Sequence, residues 1–358
     1  MKKLISVSLH ILFASLFLLS ACSPQAAAPT PTASGPRALT VMTHDSFAIS
    51  KNVLKKFEDA NNATVTFLPS GDAGAALNKA ILAKDAPLAD VFFGVDNTFL
   101  SRALDADIFD PYASPALADV PAEFKLDPQN RLLPVDYGDV CINYDKAYFA
   151  SKNLPVPVTL EDLTKPEYKD LLVVENPATS SPGLAFLLAT IKHFGQDGYI
   201  GYWKELRQNG LVVVDGWETA YYTNFSASSG KGPQPLVVSY ASSPAAEVVF
   251  AEKPLTDSPT GSILGPDTCF RQVEFAGVLK GTHQPVLARA FIDFMLGLDF
   301  QQDVPLQMFV YPVNGKATLP DAFVKYADVA QAPASLDPAQ IAANREAWIN
   351  AWTEAVLR

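Results

Sequence analysis

Short apolar strands alternate with amphipathic helices in the first third of the chain, and this order limits the fold more than any other property of the sequence. Residues 39–43, 64–68 and 90–95 are predicted strands, and the third is almost wholly apolar, as a strand buried on both faces should be. Helices are predicted after Ser50 and near Gly74. This alternation predicts a mostly parallel sheet with helices on both sides, an α/β fold.

The middle of the chain repeats this alternation, which indicates a second α/β unit. Its predicted elements are an extended strand at 133–146, strands at 171–175, 211–214 and 236–240, and helices at 183–194, 200–208 and 217–226. A strand at 273–279 and a helix at 286–298 then return to the first unit. We therefore expect lobe 1 to comprise 37–138 and 271–358, lobe 2 to comprise 139–270, and two crossing strands to form a hinge. Open α/β sheets bind ligands at the carboxyl ends of their strands, so a cleft between the lobes is the expected site.

The C-terminal segment carries a strong helix start. Asp337 is the predicted N-cap, Pro338 the first helical residue and Gln340 the third. The apolar face of this helix is formed by Ile341, Trp348, Trp352 and Ala355. Such a face needs a partner surface, so we expect the C-terminus to dock on the lobes.

The N-terminus is an export signal. Lys2 and Lys3 precede a mostly apolar run at 4–19, which ends in Leu-Ser-Ala-Cys. This arrangement resembles the bacterial lipoprotein signal, in which cleavage falls before the cysteine, here Cys22, and its thiol is acylated; an ordinary signal peptide is the alternative. Residues 23–36 consist of Pro, Ala, Ser, Thr, Gly and one Gln, carry no charge and are a predicted disordered tether. We expect an extracytoplasmic protein held at the membrane by lipid alone.

Charge and motif content exclude several classes of function. The formal net charge of −11 argues against binding to nucleic acid. The sequence contains no G-x-S-x-G, Walker A, G-x-G-x-x-G or H-E-x-x-H motif, and its four His and three Cys lack metal-ligand spacing. We therefore expect no metal, no cofactor and no catalytic residue.

Acidic, aromatic and hydroxyl side chains gather where the predicted strands end. Carboxylates and aromatic rings suit a flat cationic ligand, through Coulomb attraction and stacking, and hydroxyls at a helix start suit a hydroxyl or phosphate group. The candidate ligand-binding residues are His44, Asp72, Asp96, Ser180, Ser181, Trp217, Tyr221, Tyr240 and Phe309.

Several of these residues have a structural alternative. Asp72 and Asp96 each precede a helix and could serve only as caps. Trp217 and Phe309 could belong to the core, although Trp217 follows Gly216 at a strand-to-helix turn. His44 could be a loop residue with its own hydrogen-bond partners.

Seven segments together resemble the thiamine-binding proteins of bacterial ABC importers. They are VMTHDSFAIS, ADVFFGVDNTFL, PVDYGDVCINYDK, ENPATSSPGLAFLLAT, VDGWETAYY, LVVSYASSPA and VYPVNGKATLP, and with the terminal helix they cover nearly all of 38–358. The resemblance implies a two-lobed periplasmic binding-protein fold of type II that closes on thiamine or a thiamine phosphate. It also implies delivery to a membrane permease driven by an ATPase, with no chemistry performed. We expect a monomer.

The resemblance assigns some of the candidates individually and marks departures. Asp72, Ser180, Trp217 and Tyr240 fall on ligand positions of the family. His44 stands where the family often has Tyr, Ala246 where a Tyr can occur, and Phe309 where a Trp can occur. These departures leave thiamine, its phosphates and its pyrimidine fragment open as ligands.

Two of the three cysteines lie where they could pair. Cys141 and Cys269 lie on the predicted crossing strands, where they form either a hinge disulfide or two buried thiols.

Two other functions remain as alternatives to thiamine binding. One is a thiamine-degrading or thiamine-transferring enzyme with Cys141 as nucleophile, although a strand does not lower a thiol pKa as a helix N-terminus does. The other is a binding protein for a polyamine; iron is disfavoured by the lack of clustered Tyr, His and carboxylate ligands.

Overall fold

The computed structural model describes residues 35–227 and 231–358. The predicted signal peptide at 1–22, its lipidation site Cys22, and the predicted tether up to residue 34 lie outside the described residues. Residues Arg37–Arg358 form one compact unit, to which all the described helices and strands belong.

Strands and helices alternate through most of this unit, as the sequence predicts. In chain order the elements are β1 (Arg37–Thr43), α1 (Lys51–Asn61), β2 (Ala63–Pro69), α2 (Ala73–Leu82), β3 (Val91–Asp96), α3 (Leu100–Asp105), β4 (Phe109–Asp110), β5 (Leu133–Asp145), α4 (Lys146–Lys152), β6 (Leu172–Glu175), α5 (Ser181–Gln208), β7 (Val212–Val214), α6 (Trp217–Thr219), β8 (Leu236–Tyr240), α7 (Ser243–Val249), β9 (Thr260–Ile263), β10 (Phe270–Leu279), α8 (Pro285–Leu296), α9 (Leu298–Gln301), α10 (Val304–Gln307), β11 (Tyr311–Pro312), α11 (Asp321–Tyr326) and α12 (Pro338–Val356).

The strands of the described residues form one mixed sheet with two parallel groups. The path runs β2-β1-β3-β10-β5-β8-β6-β7, with β4, β9 and β11 attached beside it. β1 is parallel to β2 and β3, and β6 is parallel to β7 and β8. The antiparallel strands β5 and β10 lie between these groups and join them.

Helix α5 consists of two segments, as the sequence predicts. Gly195 has φ 71° and ψ 175°, a conformation outside the helical region that favours glycine. The helical segment before this break is deeply buried from Ser181 to Ile191. It therefore begins in the interior, at the end of β6, and places its first residues against the centre of the sheet.

The paired strands β5 and β10 are joined by more than backbone hydrogen bonds. Arg271 and Asp139 are register partners, and the guanidinium donates two hydrogen bonds to the carboxylate, at 2.8 and 2.9 Å. Cys141 and Cys269 form a disulfide. The sequence left a disulfide or two free thiols open; the structure has the disulfide. The predicted lobe boundaries, 138/139 and 270/271, fall within this ladder and stay predictions.

The C-terminal helix α12 forms as predicted and docks. The Asp337 carboxylate caps it by accepting a hydrogen bond from the Ala339 N–H at 2.8 Å. Trp352 is fully buried with its ring edge against Trp203 of α5, 5.5 Å between centroids. Arg345 lies over the ring of Phe99, just before α3, at 5.2 Å. The helix therefore contacts elements on both sides of the β5–β10 ladder.

Within 35–227 and 231–358, no helix has the length and apolar character needed to cross a membrane.

Candidate ligand-binding site

A cavity of about 300 Å³ opens beside the centre of the sheet. Its lining comes from both sides of the β5–β10 ladder and from Glu274 of the ladder itself, with residues 44–48, Asp72 and residues 307–310 on one side. The other side supplies the start of α5, the turn after β7, the end of β8 and helix α7. Its volume falls at the lower end of the range for small-molecule sites.

Aromatic rings form one wall of the cavity. Trp217 and Tyr221 stack with 5.0 Å between their centroids and 19° between their planes. The chain makes a π-helical turn at Ala220–Asn224, an irregularity that is common at functional sites. Trp217 donates its Nε1–H to the Ser239 hydroxyl at 2.9 Å, which fixes the plane of the indole. This wall offers a rigid face for a flat ligand.

Tyr240, at the end of β8, belongs to the floor. Its hydroxyl donates to the Gln272 amide oxygen at 3.1 Å, and the Gln272 amide nitrogen donates to the Ser181 hydroxyl at 2.9 Å. Burial raises the pKa of Tyr240 well above its ordinary value, and the carboxylates around it, Glu274 foremost, raise it further. The phenol therefore stays neutral, and this chain of hydrogen bonds holds Ser181 in the cavity lining.

Three carboxyl side chains lie abreast beneath the cavity on neighbouring strands. Glu274 of β10 is the register partner of Asp96 of β3 and of Asp136 of β5. Directly opposed residues of an antiparallel pair project to the same face, so the three groups are close together. Asp96 and Asp136 are fully buried, Glu274 is 7% exposed, and of the three only Glu274 lines the cavity.

The protonation states of this row differ. Burial, with the adjacent Glu274, holds the pKa of Asp136 well above its usual value, which favours the neutral form that can donate a hydrogen bond to Glu274. Burial opposes ionisation of Glu274 as well, but His44 and the Asp136 hydrogen bond outweigh it and lower the Glu274 pKa. Burial raises the pKa of Asp96 to about 7. Glu274 is therefore the carboxylate that presents negative charge to the cavity.

His44 follows β1 and lies against Glu274. Its Nε2 is 3.5 Å from Oε1 of Glu274, and its ring centroid is 5.4 Å from that of Phe93. Burial opposes protonation of the imidazole, yet attraction to Glu274, with smaller effects of Asp72 and Asp45, raises the His44 pKa above its ordinary value. Gly94 makes room for this ring, because a Cβ there would lie 2.5 Å from Cδ2 of His44.

Asp72 caps α2 and also reaches across the cavity. One carboxylate oxygen accepts from the Ala73 N–H at 2.7 Å, and the other accepts from the Trp217 N–H at 3.0 Å. Burial raises the pKa of Asp72, while hydrogen bonds from Trp217, Ser180 and Ala73 oppose that shift. Asp72 therefore acts as a helix cap and also belongs to the cavity lining, where it joins the two sides of the cavity.

The predicted candidates do not all reach the cavity. Those in its lining are His44, Asp72, Ser181, Trp217, Tyr221, Tyr240 and Phe309. The structure places Ser180 outside the lining, fully buried, where its hydroxyl caps α5 by accepting from the Gly183 N–H. Asp96 is also outside it, and its Oδ1 accepts from the Thr98 N–H, the Thr98 hydroxyl and the Phe99 N–H. For these two residues the structure shows the capping role.

Sequence reasoning missed Glu274, which occurs in an otherwise apolar predicted strand. Its role depends on the register of β10 against β3 and β5, and the only signal in the sequence was an isolated acid in an apolar run. Ala246 and Phe309, both marked as departures from the resembled family, do line the cavity. Phe309 packs edge-on against Phe250 at 5.1 Å.

The cavity is surrounded by neither a metal-binding cluster nor a free cysteine thiol within the described residues. In that part of the chain no group of three or more His, Cys, Asp or Glu side chains is arranged to hold a metal ion. The sulfur of Cys141 is bonded to Cys269 and is fully buried, outside the cavity lining. The cavity can therefore stack on a flat ring and neutralise a cation, and Cys141 supplies it with no thiol.

Comparisons with known proteins agree over most of the chain. A family model described as "Bacterial extracellular solute-binding protein" matches residues 86–332. The thiamine-binding periplasmic protein of Escherichia coli (strain K12) is 32% identical over 346 residues, which are 95% of this chain and 100% of that protein. The thiamine-binding periplasmic protein of Salmonella typhimurium is 33% identical, over 89% of this chain and 94% of its own length. A solved structure named "Periplasmic thiamin binding protein" has a TM-score of 0.79 and 31% identity, covering 90% of this chain and 99% of its own.

Proposed function

The chain belongs to the bacterial extracellular solute-binding protein family, and on that premise we propose that it binds thiamine or a thiamine phosphate in the cavity beside β5 and β10. Its fold is the two-lobed α/β fold of periplasmic binding proteins, as the sequence predicts. We propose further that the bound ligand is delivered to the permease of an ABC transporter, which an ATPase drives.

One observation carries the proposed ligand: the Glu274 carboxylate, 7% exposed, faces a cavity with aromatic walls. Thiamine has a permanent positive charge on its thiazolium ring and a flat aminopyrimidine ring. A buried carboxylate attracts the first more strongly than an exposed one would, because little water screens it. Stacked Trp217 and Tyr221 offer a surface for either ring.

The phosphate of a thiamine phosphate would need hydrogen-bond donors rather than a cation. Ser181 is the first residue of α5 and belongs to the cavity lining. A helix N-terminus and a hydroxyl together favour an anion. We therefore propose that the site accepts a thiamine phosphate as well as thiamine or its pyrimidine fragment.

The proposed mode of action is domain closure without chemistry. A ligand in the cavity would touch residues on both sides of the β5–β10 ladder, and its preference for the closed arrangement would equal its differential affinity for that arrangement. The disulfide at Cys141 supports binding rather than a thiol-dependent reaction. We propose that the protein needs no cofactor, acts as a monomer, and is anchored outside the cytoplasm through lipidated Cys22.

Native mass spectrometry and calorimetry of the detergent-solubilised full chain would test this function. We expect thiamine or a thiamine phosphate to be released intact on denaturation, and Glu274→Gln to weaken thiamine binding by about 2–4 kcal/mol, roughly 30- to 1000-fold. Glu252→Gln removes the same charge from an exposed residue outside the cavity and should change affinity little.

Three results would count against the proposal. Binding of a polyamine but not thiamine would favour the polyamine-binding alternative. Recovery of cleaved thiamine would favour an enzyme. An equal effect of Glu274→Gln and Glu252→Gln would contradict the assignment of Glu274 as the counter-charge.

A further inference from the structure

The residue beside the proposed counter-charge is itself a titratable cation. The His44 ring is buried and its Nε2 faces Glu274. It lies 3.5 Å from the Glu274 carboxylate, close enough for an ion pair once the ring is protonated. Gly94 and Phe93 hold the ring in this position. The imidazolium and a cationic ligand would therefore face the same carboxylate.

We propose that His44 sets the preference of this site for a cationic ligand according to pH, because its protonated ring competes with the ligand for Glu274. The inference rests on the proposed function only in taking the ligand to be a cation. It concerns the residue that departs from the Tyr often found in the resembled family, and a Tyr at this position would not compete in this way.

The charges around His44 define the direction of the effect. Glu274 of β10 faces it most closely, Asp72 at the start of α2 and Asp45 on its own loop follow, and Asp136 of β5 and Asp96 of β3 flank Glu274. Among these groups His44 is the only one that becomes positive. Its pKa lies above the ordinary value of 6.5, so a fraction of the rings is protonated near neutral pH.

The sign follows from linkage. A cation bound at Glu274 repels the His44 proton and lowers its pKa, so binding releases a proton. Affinity must then rise with pH while His44 loses its proton in the free protein, and level off above that range. One proton gives at most about a tenfold change in affinity for each pH unit.

Calorimetry of thiamine binding to the detergent-solubilised full chain, between about pH 6 and about pH 8.5, tests this inference. We expect the affinity of the wild type to rise about tenfold across this range. The heat of binding should depend on the ionisation enthalpy of the buffer, which reveals the released proton. In His44→Tyr the rise should fall below about twofold. A neutral analogue with carbon in place of the thiazolium nitrogen should bind the wild type without the rise.

Two variants are matched controls. His193 titrates with a raised pKa, because hydrogen bonds to Glu161 and Asp267 overcome its burial, but it lies outside the cavity lining; His193→Gln should keep the full pH dependence. Asp96 has a pKa of about 7 and could produce a rise of the same sign. Asp96→Asn should therefore keep the pH dependence if His44 causes it.

Each outcome is decisive. A rise that persists in His44→Tyr, or disappears in Asp96→Asn, would overturn the inference. If His44→Tyr does not fold, His44→Gln replaces it, and a wild type that binds thiamine without releasing protons overturns the inference with no variant at all. Absence of binding at every pH would refute the proposed function instead, so the two failures are distinguishable.

Discussion

Removing the Cys141–Cys269 disulfide should destabilise the protein without abolishing its fold. The bond closes a loop of 128 residues. In the chain-entropy treatment a loop of this length restricts the unfolded chain by about 5 kcal/mol at about 25 °C. The folded state keeps the flanking β5–β10 pairing and the Arg271–Asp139 ion pair, so most of that entropy should appear as lost stability.

Chemical denaturation compares three proteins: the oxidised wild type, the reduced wild type and Cys141→Ala/Cys269→Ala. The reduced wild type keeps every sulfur atom and isolates the cross-link. The double variant adds the loss of two buried sulfurs beside Ala241 and Ala330, which should cost about 1 kcal/mol more. Guanidinium unfolding should be followed by tryptophan fluorescence and far-UV circular dichroism, and coincident transitions justify the two-state free energies.

We expect the reduced protein to be about 3–5 kcal/mol less stable than the oxidised one. A difference below about 1 kcal/mol would refute the reasoning, because the unfolded chain would then gain little freedom from the broken bond. The sulfurs do not line the cavity, so thiamine affinity measured well below the transition should be unchanged.

Three further substitutions test the site and its support. Trp217→Ala removes the ring stacked on Tyr221 and should weaken thiamine binding by about 2–4 kcal/mol by calorimetry; an unchanged affinity would remove Trp217 from the site. Asp96→Asn keeps an acceptor for the N–H groups it caps but loses a carboxyl whose pKa burial raises from 3.8 to about 7. The wild type should therefore lose stability relative to this variant as pH rises from about 4 to about 7, by about 2–4 kcal/mol in urea unfolding, and a constant difference would contradict the raised pKa. Gly94→Ala forces an alanine to φ +106° with its Cβ against His44; it should lower stability by about 1–3 kcal/mol in thermal unfolding, and a stable variant would show that the loop can yield.

The larger elements of the fold could be predicted because local sequence decides them. β3 is apolar at nearly every position, and Asp337-Pro338 starts α12 with a cap that needs no tertiary partner. The short strands β9 and β11 could not be predicted in the same way. Each exists because β5 is long enough to pair with it, at residues 142–145 and 136–137 respectively. Such strands depend on the tertiary arrangement rather than on their own composition.

Candidate site residues could be predicted where a strand end coincides with a turn. Trp217 and Tyr240 carry that signal and line the cavity. Ser180 and Asp96 carry the same signal but turn inward as caps, because a side chain that precedes a helix can satisfy backbone N–H groups as readily as a ligand. One sequence does not distinguish these outcomes, since both use the same residue types at the same place.

The counter-charge shows what sequence spacing leaves out. Asp72 is the acid that the family resemblance selects, yet both of its oxygens already accept backbone hydrogen bonds. His44 lowers the pKa of Glu274 most, and a hydrogen bond with Asp136, which is distant in sequence but opposite in register and whose own pKa burial raises, lowers it further. Two acids placed side by side in an apolar interior cannot both ionise cheaply, so their pairing produces one neutral donor and one well-defined charge. The negative charge offered to a ligand is thus a property of the β5–β10 ladder. Replacing Asp136 with Asn, which can still donate a hydrogen bond, should therefore leave Glu274 charged. Replacing Asp136 with Leu should raise the pKa of Glu274 and weaken thiamine binding about tenfold or more in the same calorimetric assay. Equal thiamine affinities for the two Asp136 variants would show that Glu274 holds its charge without that hydrogen bond.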